Sequence, residues 1–496
     1  MKRRTGKEMD RDSRHPAVTF FWNGASVIGQ RGDTVAAALW RAGITTLARS
    51  RKVHRPLGFS GSYPTGVLAR VNGRPNVRLD QLSVETGLVV EMQNTWPSPR
   101  FDVLRLAQAL PAKLVYGGFE HGAWMPKSGL AYRLAERAMA NLAGVARPAD
   151  VATVPAVVPG ERLEVDCLVV GGGPAGIAEA NRRVALGQTV ALVTRGESLA
   201  RFATSMGAAI EELNSDVRLF SGMELFGAYR DGALMVAASH DHRRGAVAFL
   251  PKETVLATGR RSIPPLVRGS QLPGVFDAHS ALQLAAVHRV KPGKRVAVVG
   301  TGAEIDVAEK LIALGVDVVH RGPVSDLIEI SGRRRVTGVR ADAHIRCDAV
   351  VHAGPWRADP SLGFQTAGEG LFQVQVRPLP HSVSIAGAAA RGDERIHASR
   401  HVHPDTLICP CMDVTAGELY SHIDAGETDP EVLKRLTSCG MGTCQGFPCW
   451  DNMLALLAAR VGAEPEVFAR PTHRPPRRSI TVAQAAGLAS LVEPDR

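Results

Sequence analysis

The chain lacks several features that mark common functional classes. It has no run of 18 apolar residues, so no membrane-spanning helix is predicted. Aromatic residues make up only 5% of the 496 residues, and no basic helix with interleaved aromatic side chains occurs. The net charge of +11 therefore does not indicate nucleic-acid binding, and we expect it to serve anionic cofactors or a more acidic protein partner. The charged N-terminus has no apolar segment behind it, which argues against a secretory signal and favours the cytoplasm.

Cysteine is also scarce. The chain has 7 cysteines, and the first of them is Cys167. The sequence shows no Ser/His/Asp set and no convincing acid–base pair, so we predict no catalytic residues of its own. Five of the cysteines fall in "ICPC" and "LTSCGMGTCQGFPCW" near the C-terminus. In the cytoplasm, clustered cysteines hold metal more often than they form disulfides.

Periodicity and glycine turns divide the chain into several predicted units. Residues 1–16 are expected to be a disordered tail, 17–98 a small α+β module and 99–160 a helical connector. From residue 161 the pattern changes to βαβ, and it recurs at "RVAVVGTGAEIDVAEKL". We predict a dinucleotide-binding domain at 161–262 and 345–400 with a second such unit, 263–344, inserted in it. A cysteine module at 401–470 and a surface tail at 471–496 complete the prediction.

The first glycine loop, Gly171-x-Gly173-x-x-Gly176, follows a buried strand and opens a helix, a context that makes the motif specific. Its glycines permit a tight turn, close approach of a pyrophosphate and close helix packing. The next strand ends in Thr194 and Arg195, where an acidic residue for the ribose is usual. The occupant therefore stays open between FAD or another adenine dinucleotide, a nucleotide with a 2′-phosphate and a truncated nucleotide. The predicted contacts are Gly171, Gly172, Gly173, Pro174, Ala175, Gly176, Thr194, Arg195, Thr258, Gly259 and Gly387.

The second glycine loop is less complete. Gly300 and Gly302 are present, but Ile305 occupies the position of the third glycine. The loop either binds a nicotinamide nucleotide, NAD(P), or only retains the fold, and the second interpretation is favoured.

The cysteine pattern is a C-x-C pair, then about thirty residues, then C-x4-C spacing. Four thiolates suit a [2Fe–2S] cluster or a structural zinc, and zinc more often uses C-x2-C pairs, which favours iron. The segments "TAGE" and "DPEVLKRLT" predict helix starts at Thr415 and Asp429, and a third helix follows Cys449. Cys167 and Cys347 lie in or beside apolar strands and are predicted to be buried packing residues.

A family resemblance rests on stretches along most of the chain. "GDTVAAALWRAGI", "MQNTWPSPRFDV", "VVGGGPAG" and "LPGVFDAHSALQLA" resemble the α subunit of heterotetrameric sarcosine oxidase. "CPCMDVTAGEL" and "GMGTCQGFPC" are similar to the bacterioferritin-associated-ferredoxin-like module of hydrogen cyanide synthase, opine dehydrogenases and dye-linked proline dehydrogenases. The resemblance covers about residues 17–460.

The resemblance implies an α/β fold with a β-grasp module and two Rossmann-type domains of the pyridine nucleotide-disulfide oxidoreductase kind. It also implies a small helical [2Fe–2S] domain at the C-terminus, whose ligands are Cys409, Cys411, Cys444 and Cys449, with Cys439 as a spare thiol. Relatives carry a second, plant-type cluster in the β-grasp module, but residues 55–80 contain no cysteine, so that cluster cannot form here.

For function, the resemblance implies the electron-transferring α subunit of a heteromeric amino acid or amine dehydrogenase acting on CH–NH donors. Sarcosine, proline, hydroxyproline and opines are the substrate types. An FAD-containing β subunit resembling D-amino-acid oxidase would oxidise the substrate, and the resemblance allows FMN at the subunit interface and a small third subunit. Electrons would pass through flavin to the [2Fe–2S] cluster and on to a quinone or other acceptor.

Two alternatives from the residues remain. One is a self-contained NAD(P)H-dependent flavin and iron–sulfur reductase, which needs the second glycine loop to bind nicotinamide. The other is a non-redox scaffold subunit with zinc in the cysteine module.

Overall fold

A computed structural model describes residues 16–59, 67–99, 101–109, 128–142, 157–367, 379–489 and 491. The predicted tail at 1–16 falls almost wholly outside these ranges, as does much of the predicted connector at 99–160. The described parts of the connector contain a 3-10 helix, Val103–Ala109, and an α-helix, Gly129–Leu142. Across the described ranges, no helix is both long and apolar enough to cross a bilayer.

The N-terminal module is a β-grasp fold, as expected. In the strand Ala17–Trp22 every second side chain is buried, which fits a sheet with one covered face. The helix Val35–Arg41 covers that face, and the Thr34 hydroxyl accepts a hydrogen bond from the Ala37 N–H at 3.2 Å. A short strand pair, Ala48–Arg49 with Pro56–Leu57, lies beside the sheet. The sheet strands are, in spatial order, Ala25–Gln30, Ala17–Trp22, Val89–Met92, Leu68–Val71 and Arg74–Arg78.

The first Rossmann-type domain is built on a largely buried mixed sheet. Parallel pairing aligns Val170 with Val193, Leu256 with Val170 and Leu256 with Ile385, so these strands end at one edge. The strand Val383–Ile385 returns the chain to this sheet after the second unit. The strands in spatial order are Arg218–Ser221, Val190–Thr194, Glu161–Val170, Ala246–Leu256, Leu234–Ser239 and Met223–Tyr229, with Val383–Ile385 also paired to Ala246–Leu256. The helices of this domain are Pro174–Ala185, Arg201–Ser205 and Ser361–Thr366.

The second Rossmann-type unit has its own parallel sheet. The strands in spatial order are Val275–Asp277, Ala349–Ala353, Val296–Gly300 and Val318–Pro323. The helix Glu304–Ala313 packs on this sheet, and Ala278–Leu282 continues into a π-helical turn, Gln283–Val287. Ala349–Ala353 pairs with Val296–Gly300, so the predicted boundary at 344 was wrong and assigned this strand to the other sheet. Smaller pairings are Glu329–Gly332, Val336–Arg340 and His344–Ile345, and Arg261–Ser262 with Trp356–Arg357.

The cysteine module forms the three helices that the sequence indicates. Thr415 caps Ala416–Ile423 by accepting a hydrogen bond from the Glu418 N–H at 3.3 Å, and Asp429 caps Pro430–Thr437 through the Glu431 N–H at 2.7 Å. The third helix is Cys449–Val461. A short strand pair, Leu407–Cys409 with Val414–Thr415, brings the C-x-C segment beside the helices.

Residues 471–489 are not the surface tail that the sequence suggested. The segment packs against the first Rossmann-type domain, and the helix Val482–Ala489 contacts its strand Ala246–Leu256. Arg477 and Arg478 are buried; Arg477 pairs with Asp359, and Arg478 with Glu224 at 3.0 Å. The prediction of an exposed tail was based on the proline and arginine content of the segment. It was wrong because two of the arginines pair with buried carboxylates of the first Rossmann-type domain.

Candidate nucleotide and metal sites

The first glycine loop is packed so closely that its first and third glycines admit no side chain. A Cβ on Gly171 would lie 2.2 Å from the carbonyl oxygen of Ala257, and Gly171 has φ +117°. A Cβ on Gly176 would lie 1.9 Å from the carbonyl oxygen of Gly171. These contacts fix the helix Pro174–Ala185 against the sheet and aim its N-terminus over the strand ends.

The middle of the loop is open. Gly173 begins the helix with ordinary backbone angles, and a Cβ there would meet no atom within 4 Å. Gly259 follows Thr258 just after the neighbouring strand Ala246–Leu256, and a Cβ on Gly259 would also meet no atom within 4 Å. Free space in front of a helix N-terminus is what an approaching phosphate needs.

The other predicted contact residues converge on the same edge. A Cβ on Gly172 would lie 2.9 Å from the Thr194 hydroxyl oxygen, so the buried Thr194 side chain lies against the loop. A Cβ on Gly387 would lie 2.3 Å from the Ala175 Cβ, which places the Gly387 turn against the first helical turn. The structure therefore brings together the residues predicted for this site.

Arg195 and a residue that we did not predict, Arg201, make this edge cationic. Burial lowers the pKa of Arg195 well below its usual value, and the charge of Arg261 lowers it further. Arg201 lies over Gly196, where a Cβ would come within 2.7 Å of its Nε. The sequence offered one signal for Arg201: it begins the helix Arg201–Ser205, which follows the strand Val190–Thr194. Crowded arginines of one sign favour an anionic ligand.

The second glycine loop differs because carboxylates already bind it. Glu304 accepts a hydrogen bond from the Gly302 N–H at 2.6 Å, and Glu394 accepts one from the Thr301 hydroxyl at 2.6 Å. Ile305, at the third glycine position, is half exposed. Gly300 and Gly302 thus belong to a loop whose donors are engaged within the chain.

The thiols of the cysteine module converge in a buried cluster. The Sγ of Cys409 lies 3.6 Å from the Sγ of Cys411 and 3.9 Å from that of Cys444, and the three Sγ atoms all lie within 4.8 Å of one another. Cys449, the fourth predicted ligand, is buried in the same core but lies outside this set of three. The fifth thiol, Cys439, is also buried and also lies outside the set. The structure therefore brings three of the four predicted ligands together.

The buried thiols shift one another's pKa values. Burial acts to raise the pKa of Cys409, but hydrogen bonds from its neighbours, Cys411 foremost, bring that pKa well below its usual value. Hydrogen bonding to Cys409 raises the pKa of Cys411 to about 12. The pKa values of Cys444 and Cys449 are raised well above normal, first by the same partner. Metal ligation requires deprotonated thiolates, so a metal ion that binds here would displace protons from these thiols.

Trp450, whose role we did not predict, explains the glycines around the cysteines. Its Nε1–H donates to the carbonyl oxygen of Cys439 at 2.8 Å. A Cβ on Gly440 would lie 2.0 Å from that Nε1, and one on Gly446 would lie 2.3 Å from the indole Cε3. A Cβ on Gly442 would lie 2.7 Å from the Sγ of Cys411. The cysteine loop thus needs glycine at these three positions because its backbone packs directly against the Trp450 indole and the Cys411 thiol.

The surroundings of the thiols suit an iron–sulfur or zinc centre. The Gly440 N–H donates to the Cys409 Sγ at 3.3 Å. Cys449 is the first residue of a helix, whose dipole favours an anion. A narrow crevice beside Cys444 and Cys449 is lined in part by Pro264, Ile408, Pro410 and Pro448. Cys167 and Cys347, in contrast, are isolated, and burial raises the pKa of each to about 11, as expected for packing residues.

Two family models match the chain. Residues 15–95 match a 2Fe-2S iron-sulfur cluster binding domain, although they contain no cysteine. Residues 165–333 match the pyridine nucleotide-disulphide oxidoreductase family.

Among curated proteins, the alpha subunit of sarcosine oxidase from Rhizobium meliloti (strain 1021) is 26% identical over 563 aligned positions that cover 93% of this chain. The chain is thus similar to the sarcosine oxidase alpha subunit along most of its own length. It spans 57% of the length of that relative. An opine oxidase subunit of the same organism is 36% identical over 88 residues, 18% of this chain and 19% of the relative.

A solved structure supports the fold. L-proline dehydrogenase from P. horikoshii aligns with a TM-score of 0.73 and 21% identity. The alignment covers 95% of this chain and 98% of the other. The order of modules described above is thus shared along nearly the whole chain.

Proposed function

We propose that the chain is the electron-transferring α subunit of a heteromeric dehydrogenase that oxidises amino acids or amines at a CH–NH bond. Substrates of the sarcosine, proline, hydroxyproline or opine type would be oxidised in a partner subunit that contains FAD. The compartment we propose is the cytoplasm, where clustered cysteines hold metal.

One observation carries the proposal: the buried thiols of Cys409, Cys411 and Cys444 meet, with Cys449 buried in the same core, in a chain whose relatives are named as oxidase subunits. These four cysteines would ligate a [2Fe–2S] cluster. Flavin, when bound, separates the two electrons of a hydride, and an iron–sulfur centre accepts them singly. The absence of cysteine from residues 15–95 leaves this C-terminal set as the proposed centre.

The chain's own residues have defined roles in this proposal. The Gly173 turn and the helix behind it would hold the phosphates of an adenine nucleotide, FAD being our first choice. Arg195 and Arg201 would neutralise part of its charge, and Thr194 would replace the acidic ribose contact with a hydroxyl. The hydrogen bonds of Gly440 and Trp450 would fix the thiol loop, which limits rearrangement when the charge of the centre changes.

An NAD(P)H-dependent reductase is the second candidate, and Glu304 argues against it. Nicotinamide dinucleotides need free donors at a glycine loop, and the Gly302 N–H is already bonded to a carboxylate.

The test is co-expression with a flavin oxidoreductase encoded beside this chain, followed by dye-linked assays on N-methyl amino acids, proline, hydroxyproline and opines. We expect activity from the pair with at least one of these donors, and no dye reduction from this chain alone. Activity of this chain alone with NADH would contradict the proposal.

A further inference from the structure

The segment from Trp96 to Leu106 presents large apolar side chains to solvent. Trp96 is 59% exposed, Phe101 68%, Val103 46% and Leu106 69%. Two hydrogen bonds connect its described residues, 96–99 and 101–106: the Val103 N–H donates to the Trp96 carbonyl at 2.7 Å, and the Trp96 N–H donates to the Asp102 carboxylate at 3.2 Å. We call these four side chains the 96–106 surface. Grouped exposed side chains of this kind mark interaction sites.

Two arginines beside this surface carry unsatisfied donors. The Nε atoms of Arg49 and Arg105 are buried and have no hydrogen-bond partner. Burial lowers the pKa of Arg49, and the charge of Arg105 lowers it further. Asp102, whose carboxylate also hydrogen-bonds to His54 at 3.1 Å and to the Trp96 N–H, acts in the opposite direction. Both arginines are only half-buried, so a carboxylate of a partner beside their guanidinium groups would offset the repulsion between them.

Hydrogen bonds and an ion pair connect the neighbourhood of this surface to the cysteine module. His54, which holds Asp102, follows Lys52 and Val53, whose N–H groups donate to the Asp413 carboxylate at 3.0 and 3.2 Å. Lys52 also pairs with Glu418 at 3.2 Å. Asp413 lies two residues after Cys411. A short chain of polar contacts therefore connects the 96–106 surface to the proposed metal centre.

We propose that the 96–106 surface, with Arg49 and Arg105 beside it, is where the amine-oxidising partner subunit docks. The partner would present an apolar patch that is flanked by carboxylates. This rests on the proposed function. A second copy of this chain fits poorly, because its net charge of +11 would be repelled. Exposed aromatic and arginine side chains are the residue types that dominate binding energy at interfaces.

The test uses the full chain co-expressed with the neighbouring flavin oxidoreductase, with the dissociation constant measured by size-exclusion chromatography and titration. Phe101→Ser with Leu106→Ser should weaken binding by roughly 100-fold, and Arg105→Glu by roughly 10-fold or more. Ile312→Ser removes an equally apolar side chain, 52% exposed on the helix Glu304–Ala313, and should leave binding unchanged. Iron content should match the unsubstituted chain in all variants, which shows that the fold persists.

Two outcomes overturn the proposal in different ways. If the pair forms but the double variant binds as tightly as Ile312→Ser, the docking surface is wrong and the proposed function stands. If no pair forms although this chain carries its iron and nucleotide, the proposed subunit role fails, and the docking surface fails with it.

Discussion

The carboxylate of Glu304 accepts a hydrogen bond from the N–H of Gly302 at 2.6 Å, at the tip of the second glycine loop. A dinucleotide pyrophosphate would need that donor and would meet a negative charge in its place. This relationship separates the two Rossmann-type units, since the Gly173 position of the first loop is open.

We therefore predict that the chain binds NADH only weakly, and that Glu304→Gln improves its affinity for NADH by about tenfold or more by removing one buried repulsive charge. Isothermal titration would measure the difference. Glu309→Gln, on the exposed side of the same helix, is the matched control and should not change the affinity. Tight NADH binding by the unsubstituted chain would contradict this interpretation of the loop.

In the first loop, two glycine substitutions should separate folding from binding. Gly173→Ala introduces a methyl group into open space, so we expect a normal melting temperature but loss of bound nucleotide. Gly176→Ala would place its Cβ 1.9 Å from a carbonyl oxygen and should destabilise the domain by about 1–3 kcal/mol or more. Thermal unfolding and nucleotide content after gentle purification measure both effects. Retention of nucleotide by Gly173→Ala would show that the nucleotide is not bound against this turn.

Arg478→Met should unfold the C-terminal segment more readily. Removing this cation leaves the Glu224 carboxylate buried beside one fewer partner, so we expect a loss of about 3–5 kcal/mol at neutral pH. Arg162→Met breaks an exposed pair with Glu164 and should cost less than about 1 kcal/mol. Chemical denaturation of the two variants measures the contrast, and equal losses would refute it.

The same segment should make stability sensitive to acid. Burial acts to raise the pKa of Asp359, but the charges of Arg477 and Arg478 outweigh it and hold that pKa well below its usual value. A carboxylate with a depressed folded pKa contributes fully above its unfolded pKa, about 4, and loses that contribution as the pH falls further. Unfolding free energy should thus decline below about pH 4, and less steeply in Arg478→Met. Parallel declines in both proteins would contradict this.

Among the cysteines, Cys444→Ser should abolish the metal centre, whereas Cys439→Ser should leave it largely intact. The Sγ of Cys444 belongs to the group of three that lie within 4.8 Å of one another, and that group does not include Cys439. The visible absorption spectrum and the iron content report the difference. A spectrum lost equally in both variants would make Cys439 a ligand.

The architecture and most of the candidate site could be predicted from local pattern. A Gly-x-Gly-x-x-Gly motif that follows a buried strand predicts a nucleotide-binding turn, and the cysteine spacing predicts a metal that is bound by thiolates. The strand Ala349–Ala353 was assigned to the wrong sheet because an apolar strand carries no local mark of its partner; long-range pairing decides it. Arg477 and Arg478 were misjudged for a similar reason, since their buried partners lie more than 100 residues away. The role of Trp450 depends on glycines that only the folded loop brings to its ring.

The central claim is tested most directly by metal and sulfide analysis of the purified, unsubstituted chain together with its visible and electron paramagnetic resonance spectra. We predict about two irons and two acid-labile sulfides per chain, and a paramagnetic signal that appears on reduction. Zinc at one per chain, with no iron and no visible absorption from the thiols, would contradict the electron-transfer role.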